Sequence, residues 1–135
     1  MRALDTNLLV RILTRDDERQ ARAVDRLLVR TGDEAFFVPA TVMLEVEWVL
    51  RSAFRKSKAA RIQAFNALLG NGALQIEHHQ AFEIALDMFE NVARADFADC
   101  IHVAMSRGQP DGPREPLVTF DRICARLPGT QRLNV

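Results

Sequence analysis

Apolar positions recur with two periods along this chain, and the two alternate. Residues 2–5 form a short apolar run that reads as a buried strand, and residues 7–13 suit a helical turn or two. Asp16, Asp17 and Glu18 look like an acidic first turn, after which Ala21, Val24, Leu27 and Leu28 recur at helical spacing to about residue 30, where Gly32 ends the helix. Ala35 to Val38 reads as a second strand closed by Pro39. A helix over 40–54 follows, with Val42, Glu45, Val49 and Leu50 on one face. A further helix covers 58–69, turning Ile62, Phe65, Leu68 and Leu69 inward. Gly70-Asn71-Gly72 closes it, and 74–76 is a third strand. The spacing of Phe82, Ala85, Leu86 and Phe89 predicts a helix over 79–93, and another runs from about 95 to 106. Gly108 to Pro116 is a surface loop, 117–120 a fourth strand ending at Asp121, 122–126 a short helix and 131–134 a last extended piece.

Short apolar strands that alternate with helices argue for βαβ units: an α/β fold with a parallel sheet and helices on its faces. In such folds ligands gather outside the carboxyl ends of the strands. The 135 residues fit one domain, 1–135, with no repeat and no linker. No apolar run approaches a membrane span, and Asp5 interrupts what would be the core of a signal peptide, so a cytoplasmic protein without membrane contact is expected. Cys100 and Cys124 are too few for a disulfide framework and lack metal-site spacing; both read as reduced, buried thiols. Net charge is zero, which gives no global attraction for nucleic acid. Arginine carries almost all the positive charge, with Lys56 and Lys58 the only lysines.

The candidate chemistry lies in the acids. Asp5 and Asp121 end predicted strands. Asp96 and Asp99 share a face at the start of one helix, and Glu45 lies one turn inside another. Carboxylates converging at a sheet edge repel unless cations neutralise them. Oxygen ligands without a histidine cluster suit Mg²⁺ or Mn²⁺. A pair of such ions roughly 3.5–4 Å apart serves in-line phosphodiester hydrolysis. Plainer roles stand beside this one. Asp5, Asp96 and Asp121 are each placed to cap a helix, and Glu45 can pair with Arg51, while Glu47 reads as solvated. Arg51, Arg55, Lys56, Lys58 and Arg61 cluster between two helices, where they can hold a phosphate backbone or simply face water. Arg11 and Arg15 follow the first strand closely. Of the three histidines, His102, one turn from Asp99, is the one to test. Val46, Phe54 and Phe65 can serve the core or a protein contact.

The motifs Leu4-Asp5-Thr6-Asn7, Pro39 with Leu44-Glu45 and Trp48-Val49-Leu50, Ala95-Asp96-Phe97-Ala98-Asp99, and Val118-Thr119-Phe120-Asp121 occur in that order over nearly the whole chain. Together they resemble the PIN-domain ribonucleases, in particular the VapC toxins of toxin–antitoxin pairs. The resemblance implies an α/β/α sandwich, a central parallel sheet flanked by helices, and a Mg²⁺- or Mn²⁺-dependent endoribonuclease. It implies Asp5, Glu45, Asp99 and Asp121 as the acidic quartet, with Asp5, Asp99 and Asp96 on the metal and Thr6, Asn7 and Thr119 in support. It further implies an RNA substrate, a VapB-like antitoxin, a homodimer and a larger toxin–antitoxin assembly. Arg11, Arg51, Arg55 and Lys56 are the basic residues placed to meet RNA. Two other readings compete. One is a PIN-like domain that only binds RNA or protein. The other is a Mg²⁺-binding phospho-acceptor signalling domain, which the single acid after the first strand and the lack of a late lysine oppose.

Overall fold

The computed structural model describes residues 1–30, 34–107 and 116–134, so the expected helix end at Gly32 and the loop at 108–115 lie outside the described residues. The chain forms two compact units, Met1–His79 and Gln80–Val135.

The first unit holds α1 (Thr6–Thr14), α2 (Glu18–Arg30), β1 (Phe36–Val38), α3 (Ala40–Ser52), α4 (Lys58–Leu69) and β2 (Leu74–Ile76). β1 and β2 pair in parallel, Phe36 opposite Leu74 and Val38 opposite Ile76. Parallel neighbours need a long crossover, and α3 and α4 supply it. The strand expected at 2–5 is reduced to one parallel bridge, Ala3 to Phe37. Leu4 N–H donates to the Phe37 carbonyl (2.9 Å), and Phe37 N–H to that of Arg2 (2.9 Å). It stops there because Asp5 already caps α1, its carboxylate accepting from Thr6 N–H at 2.8 Å. At the other end of α1, Arg15 takes a left-handed conformation (φ 50°), and its N–H closes on the Arg11 carbonyl. Asp17 then accepts from Gln20 N–H at 3.0 Å as α2 starts. α4 keeps its expected bounds because Ser57 caps it, accepting from Ala60 N–H at 3.1 Å.

α3 presents a different face from the expected one. Met43, Val46, Glu47 and Leu50 are buried, while Glu45 is exposed. The apolar stripe is therefore rotated by about one residue, and the acid it carries is Glu47, not Glu45. Two arginines make this affordable: Arg61 on α4 reaches Glu47 at 2.9 Å and Arg51 reaches it at 3.4 Å. Arg51 thus pairs with Glu47 rather than with Glu45, and Glu47 is not solvated. Val46 and Phe65 are core residues, and Phe54 is half-buried.

α5 (His79–Asn91) begins at the unit boundary, and the second unit continues with α6 (Phe97–Ser106), β3 (Leu117–Thr119), a 3₁₀ turn (Cys124–Arg126) and β4 (Thr130–Arg132). Phe82, Ala85, Leu86, Met88 and Phe89 form the buried face of α5. Phe97, the first residue of α6, stacks on Phe82 (centroids 6.3 Å apart) and meets Phe89 edge-on (5.5 Å). This aromatic cluster anchors the N-terminus of α6, where Asp96 and Asp99 sit. β3 and β4 pair in parallel, Thr119 opposite Arg132, so the extended piece expected at the end of the chain is a paired strand. Gly129, at φ +80°, makes the turn into β4. Helices alternating with parallel strands are the α/β class that the hydrophobic pattern predicts. No helix among the described residues is long and apolar enough to cross a membrane.

Candidate active site

In the second unit, Asp96 caps α6. Its carboxylate accepts from Ala98 N–H at 2.8 Å and Asp99 N–H at 3.4 Å. Asp99 follows in the first turn of the helix, half-buried. Asp121 caps the 3₁₀ turn, accepting from Ile123 N–H (2.7 Å) and Cys124 N–H (2.8 Å). Its own N–H donates to the Thr119 hydroxyl at 3.1 Å. Thr119 therefore fixes the backbone that carries Asp121.

These acids act on one another. Burial pushes the Asp99 carboxyl above the ordinary carboxylate range, and the negative charges of Asp96 and Asp121 push it further. The charge of His102, exposed one turn along, and a hydrogen bond with the Cys124 thiol pull the other way. Burial likewise raises Cys124, which a hydrogen bond with Thr119 opposes and the three aspartates reinforce. The structure thus gathers Asp96, Asp99, Asp121 and Thr119, with His102 and Cys124 beside them. Cys124 is buried, as expected of it. Its contact with Asp99 was foreshadowed only by its place three residues after a capping acid.

In the first unit, Asp5 is exposed rather than closing a buried strand. It sits at the positive end of α1, which favours a negative charge. Thr6, next to it, is 3 % exposed, and its hydroxyl has no hydrogen-bond partner among the described residues. A buried hydroxyl without a partner is uncommon, and here it stands beside a candidate metal ligand. Asn7 is exposed on the next position of the helix, and Glu45 is exposed on α3.

The basic residues divide into two groups. Arg11 is held by Gln20 (2.6 Å) and Asp16 (3.0 Å), and Arg15 by Glu18 (2.8 Å) and Asp25 (3.0 Å), so Arg15 is spent on α2. Arg51 and Arg61 are held by Glu47. Arg55, in the turn after α3 with φ 51°, and Lys56 are exposed and form no ion pair among the described residues.

Asp96, Asp99 and Asp121 influence one another through their charges, but among the described residues no three His, Cys, Asp or Glu side chains are closed into a metal cage. The donor chemistry still suits a hard divalent cation. All three are carboxylates, and a positive charge would relieve the repulsion that raises Asp99.

No curated protein and no solved structure matches the chain. The PIN domain family matches residues 2–129, a span that contains each acid described above. PIN domains are generally nucleases that use divalent metals. The chain belongs to the PIN domain family.

Proposed function

We propose that this PIN domain is a Mg²⁺- or Mn²⁺-dependent endoribonuclease and the toxin of a type II toxin–antitoxin pair. The observation that carries the nuclease reading is Asp99, a half-buried carboxyl raised by burial and by the charges of Asp96 and Asp121. A fold keeps like charges near a half-buried acid at a cost, and binding a cation removes that cost.

Asp5, Asp99 and Asp96 are the residues assigned to hold the metal, and Glu45 and Asp121 complete the acidic set. Bound there, a divalent ion supplies a water of lowered pKa and offsets charge on the phosphate oxygens. The protein's own part is to hold the carboxylates in place. Asp96 and Asp121 are fixed by the helix ends they cap, and Thr119 holds the backbone of Asp121. Thr6 brings a hydroxyl without a partner among the described residues. Asn7 sits in the same turn as Asp5 and Thr6. Of the four basic residues assigned to RNA, Arg55 and Lys56 form no ion pair among the described residues, whereas Arg11 and Arg51 already answer to acids of their own.

The toxin assignment rests on the four ordered motifs. It brings with it a small VapB-like antitoxin, a homodimer, a larger toxin–antitoxin assembly and a cytoplasmic setting. Trp48, Val118 and Phe120 leave apolar surface in solvent, which is material for protein contacts. In the test, purified protein is incubated with transfer, ribosomal and messenger RNA, with Mg²⁺, with Mn²⁺ and with chelator. Cleavage that needs metal and is lost in Asp5→Asn is the expected result. Equal cleavage by Asp5→Asn and the natural chain would sink the scheme.

A further inference from the structure

Within the first unit, α1 and α2 pack together and leave a cavity of about 540 Å³, in the size range of small-ligand sites. Its inner wall is apolar: Leu8, Val24 and Leu27. Its outer edge is polar: Asn7, Arg11 and Gln20. We infer that this cavity receives one base of the RNA, from a nucleotide flanking the scissile phosphate, and thereby sets the cleavage sequence. The inference rests on the ribonuclease reading, and it names the residues that choose the substrate.

The polar edge is unlike a phosphate site. Arg11 Nε donates to the Gln20 side-chain oxygen at 2.6 Å, and its Nη1 meets Asp16 at 3.0 Å. Its charge is thereby balanced, and a phosphate would find no unpaired cation. The same bond fixes the Gln20 carboxamide, whose NH₂ remains a donor. The Asn7 carboxamide has no partner among the described residues, so it offers both a donor and an acceptor. Carboxamides with that freedom pair with the edges of bases, and an apolar wall accommodates their faces. Asn7 is two residues from Asp5 on α1, so a base held at the cavity belongs to a nucleotide close to the one being cut. Neither Gln20 nor Ala23, which also lines the cavity, carries any signal of this role in the sequence.

The full-length chain is titrated with AMP, GMP, CMP, UMP and ribose 5-phosphate, followed by calorimetry. One base is expected to bind at least about tenfold more tightly than ribose 5-phosphate, the discrimination that one good pair of hydrogen bonds supplies. Ala23→Leu, made at an exposed helix position, fills the cavity and removes that difference. In parallel, the ends of cleaved RNA are sequenced. Gln20→Ala is expected to flatten the base preference at one position beside the cut by about fivefold. Nucleotides that bind no better than ribose 5-phosphate overturn the inference. So does an Ala23→Leu protein that keeps the natural discrimination, or one that loses only the binding of a protein partner, which would mark the cavity as a groove for a helix. If the natural chain cleaves no RNA, the ribonuclease reading fails on its own, and the nucleotide titration still decides whether the cavity holds a base.

Discussion

Glu47 and Asp99 are both helix acids partly or wholly withdrawn from water, one in each unit. Their surroundings differ in sign. Glu47, on α3, is buried against Arg61 at 2.9 Å, with Arg51 at 3.4 Å, so its charge is answered within the fold. Asp99, on α6, is raised first by burial and then by the charges of two neighbouring aspartates, Asp96 and Asp121. An acid with its own cation is finished chemistry and serves the fold. An acid crowded by acids is unfinished and serves whatever positive charge comes to it.

The difference can be broken at either end. Asp99→Asn is expected to lower RNA cleavage by at least about a hundredfold, since it removes a charge assigned to the metal. The metal-free protein should melt no lower than the natural one. A variant that loses stability along with activity would place Asp99 with Glu47, as a structural acid. Glu47→Gln is the converse case. It removes the negative charge that Arg61, with a side chain only 12 % exposed, meets at 2.9 Å. Removing one member of such a pair costs about 3 kcal/mol, read from denaturant unfolding. Arg51 is half in water, and its share of that figure is small.

Asp99 also separates the two by pH. Its folded pKa lies above the unfolded one, so it supports the metal-free fold at pH below the ordinary carboxylate value. That support is lost as pH rises through the raised pKa. Added Mg²⁺ or Mn²⁺ should reverse the loss, so the metal-induced rise in melting temperature should grow with pH and fade on acidification. In Asp99→Asn the metal-induced rise should be small and nearly level with pH. The smallest effect is expected at Thr6. Replacing it with valine removes a hydroxyl that has no partner among the described residues, so stability should change by less than about 1 kcal/mol. Cleavage should fall by about tenfold if that hydroxyl aims a metal-bound group. Unchanged cleavage by Thr6→Val would make the hydroxyl idle.

Much of the layout was legible in the order of apolar and punctuating residues. α4 and β2 have the bounds that Ser57, Gly70 and the apolar spacing imply, because caps and turns act within a few residues. The inward face of α3 was not legible. Whether Glu45 or Glu47 turns in depends on Arg61, and that arginine comes from the next helix. The contact of Cys124 with Asp99 is likewise a fact of packing between segments. For the acids, the sequence posed capping and metal binding as alternatives. Asp5, Asp96 and Asp121 all do cap helical turns, and in each the capping oxygen leaves the other carboxylate oxygen for further work. Asparagine caps as well as aspartate, so Asp→Asn tests the charge alone, whereas Asp→Ala would remove about 1 kcal/mol of capping as well.

Cys100 and Cys124 are the only cysteines in the chain, and both are buried in the second unit. A thiol reagent therefore meets nothing on the closed molecule. Each labelling event must wait for α6 or the 3₁₀ turn to open. The protein carries its own clock for the opening of the half that holds Asp99, and bound metal should slow that clock.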